Sequence, residues 1–143
     1  SRWRGLATGK EPLLWILHVG YAWLVIGLVL LGMASLGQVV SPPGAVPMQA
    51  GLHALTAGAI GVMTLAVMTR STLGHTGRPL TADRGTLIIY ILVNAAAVVR
   101  VGAALMPQAY MSGLIISAAL WMMAFAGFIR VYGPKLVTAR LRA

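Results

Sequence analysis

The sequence predicts an all-α integral membrane protein, a bundle of four transmembrane helices with both termini on the cytoplasmic side. Hydrophobic residues make up 59% of the 143-residue chain and charged residues only 9%, which leaves too little polar surface to solvate a globule of this size. The apolar residues gather into four stretches, at about 13–36, 48–69, 85–106 and 110–132. Each suffices for a helix rising ~1.5 Å per residue to cross a hydrocarbon core of roughly 30 Å. Of the residues behind the net charge of +9, only Arg100 and Arg130 fall inside the stretches; the others lie at the termini and in the connection between the second and third stretches. No internal repeat or linker divides the chain, so residues 1–143 read as a single membrane domain.

The first stretch is longer than the apolar region of a secretory signal and shows no small-residue cleavage site, so it should remain in the mature protein. Arg2, Arg4 and Lys10 precede it, while the connection from Gln38 to Gln49 carries no charge. That connection holds Ser41, Pro42, Pro43, Gly44 and Pro47, which cannot continue a helix and make a short turn-rich loop. After the second stretch comes a longer connection, Arg70 to Arg84, with Gly74 and Gly77 flanking His75. Thr81 or Asp83 is placed to cap the third helix. Met106-Pro107 opens a tight uncharged turn into the fourth stretch, and Arg130, Lys135, Arg140 and Arg142 follow near the end. This is the positive-inside pattern, and it puts both termini and the second connection in the cytoplasm. The basic residues would also attract anionic lipid headgroups. Because they flank spans rather than line a groove with stacking aromatics, the expected partner is the bilayer and not nucleic acid.

Chemistry is bounded by what is missing. The chain has no cysteine, and its only acids are Glu11 and Asp83, so thiolate ligands, cysteine nucleophiles and paired carboxylates are all absent. Ionisable groups inside a span are expensive and therefore functional candidates; they are His18, His53 and Arg100, with Asn94 as a polar companion. His18 lies near the cytoplasmic end of the first span and His53 near the outer end of the second. That separation, something like half the bilayer, is too great for both to ligate one metal ion. Arg100 falls at a depth close to that of His53. An imidazole for iron beside a guanidinium for a propionate is a pairing a haem would use; the alternative is that His53 hydrogen-bonds a carbonyl and Arg100 snorkels outward.

Trp15, His18 and Tyr21 recur at spacings of three, the pattern of an interfacial aromatic belt more often than of a cofactor wall. His75 would approach from its glycine-flanked loop, with Arg78 nearby to hold an anion. Met33, Met63, Met68, Met122 and Met123 are soft copper donors by type, although methionine in so apolar a chain is mostly packing material. Gly27 and Gly32, with the pairs Ala54/Gly58 and Ala57/Gly61, put small residues at helical spacing, either for close helix packing or to clear room for a flat cofactor.

Three segments carry a family resemblance: His18-Val-Gly-Tyr-Ala-Trp-Leu-Val-Ile-Gly27; His53 with Ala57-Gly-Ala-Ile-Gly-Val-Met-Thr-Leu-Ala-Val-Met-Thr-Arg70; and Thr72-Leu-Gly-His75-Thr-Gly-Arg78. Together they resemble the C-terminal part of the NnrS family, and the run from Met63 to Arg78 is the most specific portion. The resemblance implies a polytopic protein of the bacterial inner membrane, associated with denitrification and resistance to nitric oxide and containing haem and copper. It makes His18, His53 and His75 expected ligands, and Arg78 and Arg100 expected anion partners, without saying which histidine serves which cofactor. Members of the family are much longer, with roughly a dozen predicted spans. This chain, which begins at Ser1, is therefore expected to be a fragment that packs against N-terminal spans and binds nitric oxide or a related small ligand with them. Two other functions remain open: a transporter or proton-conducting segment with His18, Asn94 and Arg100 along a polar path, disfavoured by the lack of a proline inside the spans, and a structural assembly subunit resting on the small-residue faces.

Overall fold

The structure is a computed structural model that describes residues 11–40 and 46–138. Arg2, Arg4, Lys10, Arg140 and Arg142, and the turn residues Ser41, Pro42, Pro43 and Gly44, lie outside the described residues. Four long helices follow one another: α1 (Pro12–Val40), α2 (Met48–His75), α3 (Arg84–Leu105) and α4 (Tyr110–Val137), the last entered through a 3-10 turn at Pro107–Ala109. All four are long and apolar enough to cross a membrane, and no strand occurs among the described residues.

Three of the helices, α1, α2 and α4, outrun the apolar stretches that announce them, because a helix ends where its backbone is capped and not where its side chains turn polar. In α2 the helix runs through Gly74 and makes His75 its last residue, so His75 sits on a helix end and not in the expected loop. Termination falls at Gly77, whose φ of 69° only glycine adopts freely. There Arg78 N donates to the Leu73 carbonyl at 2.9 Å and Gly77 N to that of Gly74 at 3.3 Å, a Schellman cap. Of the two candidate caps for α3, Asp83 serves: its Oδ1 accepts the Thr86 N–H at 2.8 Å. The fourth helix continues past Tyr132 and holds Pro134 in its last turns, where a missing N–H removes little of the ladder. The proline thus lies in the part of the helix beyond the expected span, which ends at 132.

Consecutive helices run antiparallel, and glycines set how closely they approach. A Cβ on Gly20 would lie 2.7 Å from Met63 Cγ, one on Gly58 2.6 Å from the Trp23 ring, and one on Gly51 2.7 Å from Leu31. These contacts run in opposite order along α1 and α2. The same reversal relates α3 to α4, where Gly85 meets Val131, Gly127 meets Ile89 and Gly113 meets Ala103. Gly61 faces Val93 and Trp121 instead, and Ala54 is fully buried. The small residues of α2 therefore serve packing on two sides, as membrane helices require. Gly32 does not share that role; nothing lies within 4 Å of a Cβ placed on it.

Helix α2 is the hub, packed along α1 and also against α3 and α4. Apolar side chains of all four helices form the core, among them Ile16, Leu65, Val62, Ile89, Val93 and Phe128. Buried hydroxyls cross it in pairs. Thr69 Oγ1 meets Tyr90 OH at 2.5 Å, and Thr86 Oγ1 meets Tyr132 OH at 2.6 Å. Trp23 Nε1 donates to Asn94 Oδ1 at 3.0 Å, tying α1 to α3. From Ala54 to Ile60, α2 widens into a π-helical segment in which the Gly61 N–H reaches back to the Thr56 carbonyl, five residues earlier.

Candidate functional site

The end of the bundle carrying Arg78, Asp83 and Lys135 is the basic end, and the opposite one, where α2 and α4 begin, the distal end. Near the distal end lies a cavity of about 400 Å³, lined by His53, Thr56 and Ala57 of α2, Arg100 of α3, and Ser117 and Trp121 of α4. The π-helical segment begins just after His53 and contributes Thr56 and Ala57 to the wall. Such segments interrupt the ladder and commonly accompany functional sites. Thr56 turns its hydroxyl back to the Leu52 carbonyl at 2.8 Å, supplying a donor where the helical spacing changes.

Arg100 is the charged group of this cavity. Its Nη1 is buried and has no hydrogen-bond partner among the described residues, while its guanidinium carbon lies 5.8 Å from the Tyr110 ring centroid, within cation–π reach. A buried guanidinium nitrogen left without an acceptor is unfavourable. The cavity thus joins a ring nitrogen, an unsatisfied N–H and an aromatic wall, and its chemistry suits a flat ligand bearing an acid. His53 and Arg100, placed at one depth by counting residues, line the same cavity.

The other expected site residues separate. His18 is exposed on α1, with Nδ1 3.2 Å from the Leu14 carbonyl, and lines a cavity of about 230 Å³ with Leu17, Tyr21 and Met63. His75 lines a third cavity, of about 280 Å³, with Arg70 and Ser71. Among the described residues no group of three or more His, Cys, Asp or Glu side chains is placed to hold a metal ion. Asn94 lines none of these three cavities; its Oδ1 accepts from Trp23 and its Nδ2 donates to the Tyr90 carbonyl at 2.8 Å. Arg100 and His18 line different cavities, and Asn94 lines neither. Arg78 is also committed: Nη1 donates to the Lys135 carbonyl at 3.2 Å and Nη2 to Thr138 Oγ1 at 2.8 Å, a cation closing the C-terminus of α4.

Beside it, Lys135 bridges Asp83 at 3.3 Å and lies 4.4 Å from the Tyr132 ring centroid. Burial pushes the Asp83 carboxyl up, but the Thr86 N–H and O–H, together with Lys135, outweigh it and hold the group below its ordinary value of 3.8. Sequence reading did not single out Thr56, Ser117 and Trp121 in the distal cavity, nor Ser71 at the basic end. A signal for two of them existed: Ser117 and Trp121 lie four apart within a span, away from the interfaces where a hydroxyl or an indole is ordinary.

The family model described as NnrS protein matches residues 1–140, nearly the whole chain. No curated protein and no solved structure matches it.

Proposed function

The chain belongs to the NnrS family, and on that premise we propose that it acts in the bacterial response to nitric oxide as a haem- and copper-binding, multi-pass protein of the inner membrane, with its basic end in the cytoplasm. The observation that carries the haem reading is Arg100 Nη1, buried and without an acceptor in the cavity that His53 lines. A guanidinium inside an apolar span calls for an acid, and no acidic residue lies near it in sequence. A haem propionate would supply that acid, and His53 would offer the iron a nitrogen. The cavity volume falls at the low end of small-ligand pockets, in keeping with one wall of a site that further spans complete.

Within that site each side chain has a separate task. Were haem bound there, His53 would hold its iron, Arg100 would pair with its acid group, and Trp121 with Ala57 would keep water from the cavity wall. Bound haem supplies an iron coordination position for a small ligand such as nitric oxide. For copper, His18 and Met63 share a cavity, and an imidazole with a thioether is a donor pair suited to the soft cuprous ion. The cytoplasmic placement of the basic end rests on the charge asymmetry of the connections.

Absorption spectra of the full chain, oxidised and reduced, with and without nitric oxide, test the reading. A Soret band that shifts with nitric oxide is expected, lost in His53→Ala and retained in His18→Ala, while copper content falls in His18→Ala alone. A colourless protein that takes up no haem on reconstitution would overturn it.

A further inference from the structure

The third cavity, at the basic end, combines three apolar side chains, Leu17, Val67 and Leu80, with three polar ones, Arg70, Ser71 and His75. The polar three differ from their neighbours in being uncommitted. Arg78 is tied to the Lys135 carbonyl and Thr138, and Lys135 to Asp83, whereas Arg70, Ser71 and His75 make no side-chain hydrogen bond or ion pair with another described residue. Half-buried Arg70 offers five N–H donors in a fixed fork, Ser71 a hydroxyl, and His75 a ring nitrogen. Together they form a donor set matched to the oxygens of a phosphate.

The apolar half selects among phosphates. Val67 and Ile60 are well exposed on α2 and share a face with Ser71 at helical spacing, so an apolar track leaves the cavity towards the middle of the span. A small inorganic anion has no use for that track; an acyl chain does. We propose that the cavity binds an anionic phospholipid, its headgroup phosphate on Arg70, Ser71 and His75 and a tail along Val67 and Ile60. This goes beyond the haem and copper reading: the cavity shares no residue with the His53–Arg100 site and only Leu17 with the His18–Met63 site.

The test is lipid retention by the full chain in neutral detergent with equal amounts of phosphatidylglycerol and phosphatidylcholine, bound lipid being counted by native mass spectrometry. The expected result is selective retention of phosphatidylglycerol, reduced about fivefold in Arg70→Gln, the effect of one basic group near an anionic surface, and unchanged in Arg84→Gln. Arg84 is exposed at the same end but lines none of the three cavities. Circular dichroism checks that Arg70→Gln keeps its helix content, and if it does not, Ser71→Ala carries the comparison. Equal retention of the two lipids overturns the proposal, as does an equal loss in Arg84→Gln, which would mark general surface charge. Bound inorganic phosphate on a chain that retains no phosphatidylglycerol would assign the site to a free phosphoanion and overturn the lipid.

Discussion

At the basic end, Thr69 pairs with Tyr90, Thr86 with Tyr132 and Asp83, and Arg78 with the Lys135 carbonyl and the Thr138 hydroxyl. At the distal end, Arg100 Nη1 is buried with no partner and a π-helical segment breaks the regular ladder beside His53. Both sets bring polar groups into an apolar bundle, but the hydroxyl pairs and Arg78 of the first consume their hydrogen bonds internally, whereas Arg100 Nη1 of the second keeps one available. Paired groups hold helices in register, and unpaired ones await a ligand. Substitutions at the two ends should therefore separate stability from binding.

The largest effect is expected at the distal end. Arg100→Gln should weaken haem retention ten- to a hundredfold, the order found when a group orienting a metal site is removed. It should move the unfolding midpoint little, because its buried nitrogen bonds to no described residue; a marked loss of stability with haem retention intact would reverse the contrast. At the basic end the ordering inverts. Thr86→Val strands the buried Tyr132 hydroxyl and should destabilise by about 1–3 kcal/mol with haem uptake unchanged, and adding Tyr132→Phe should recover much of that loss, since apolar replacement of both partners is nearly neutral. Reversible unfolding in mixed micelles gives both numbers.

A smaller effect should follow Arg78→Gln, which weakens the closure of α4 and should destabilise by about 0.5–1.5 kcal/mol. Amide exchange at the end of α4 should quicken before the rest of the helix responds. Smallest is the contribution of Asp83. Its pKa in the folded chain lies below the ordinary 3.8, so its stabilisation is complete above that value and is lost as pH falls through the folded pKa. Its side chain is 53% exposed, so solvent screening trims the effect. A shallow decline in melting temperature below about pH 4, abolished in Asp83→Asn, is the expected signature.

Much of this was legible in the sequence, for an identifiable reason. Number and approximate place of the helices follow from apolar length alone, and the shared depth of His53 and Arg100 follows from rise per residue. Depth is a one-dimensional property; rotation about the helix axis is not. Asn94 looked like a polar residue awaiting a task until the register of α1 against α3 brought Trp23 onto it. Thr69 and Thr86 lay within or beside apolar stretches, and only the antiparallel packing assigns each its tyrosine. His75 was misplaced for a local reason: Gly74 resembles a terminator, yet the left-handed backbone falls at Gly77.

The widened segment of α2 has one more consequence. A π-helical turn accommodates one residue more than the α-helical path would, and each residue of an α-helix turns the chain by about 100°. The stretch before Ala54 and the stretch after Ile60 are thus out of phase, and one helical wheel drawn through the whole of α2 misplaces His53 relative to Thr69 and Arg70 by more than a quarter turn. Deleting a single residue between them would leave composition and hydropathy almost untouched, yet swing His53 away from Arg100. The aim of that imidazole is encoded in how many residues the helix contains, a quantity that substitutions alone never alter.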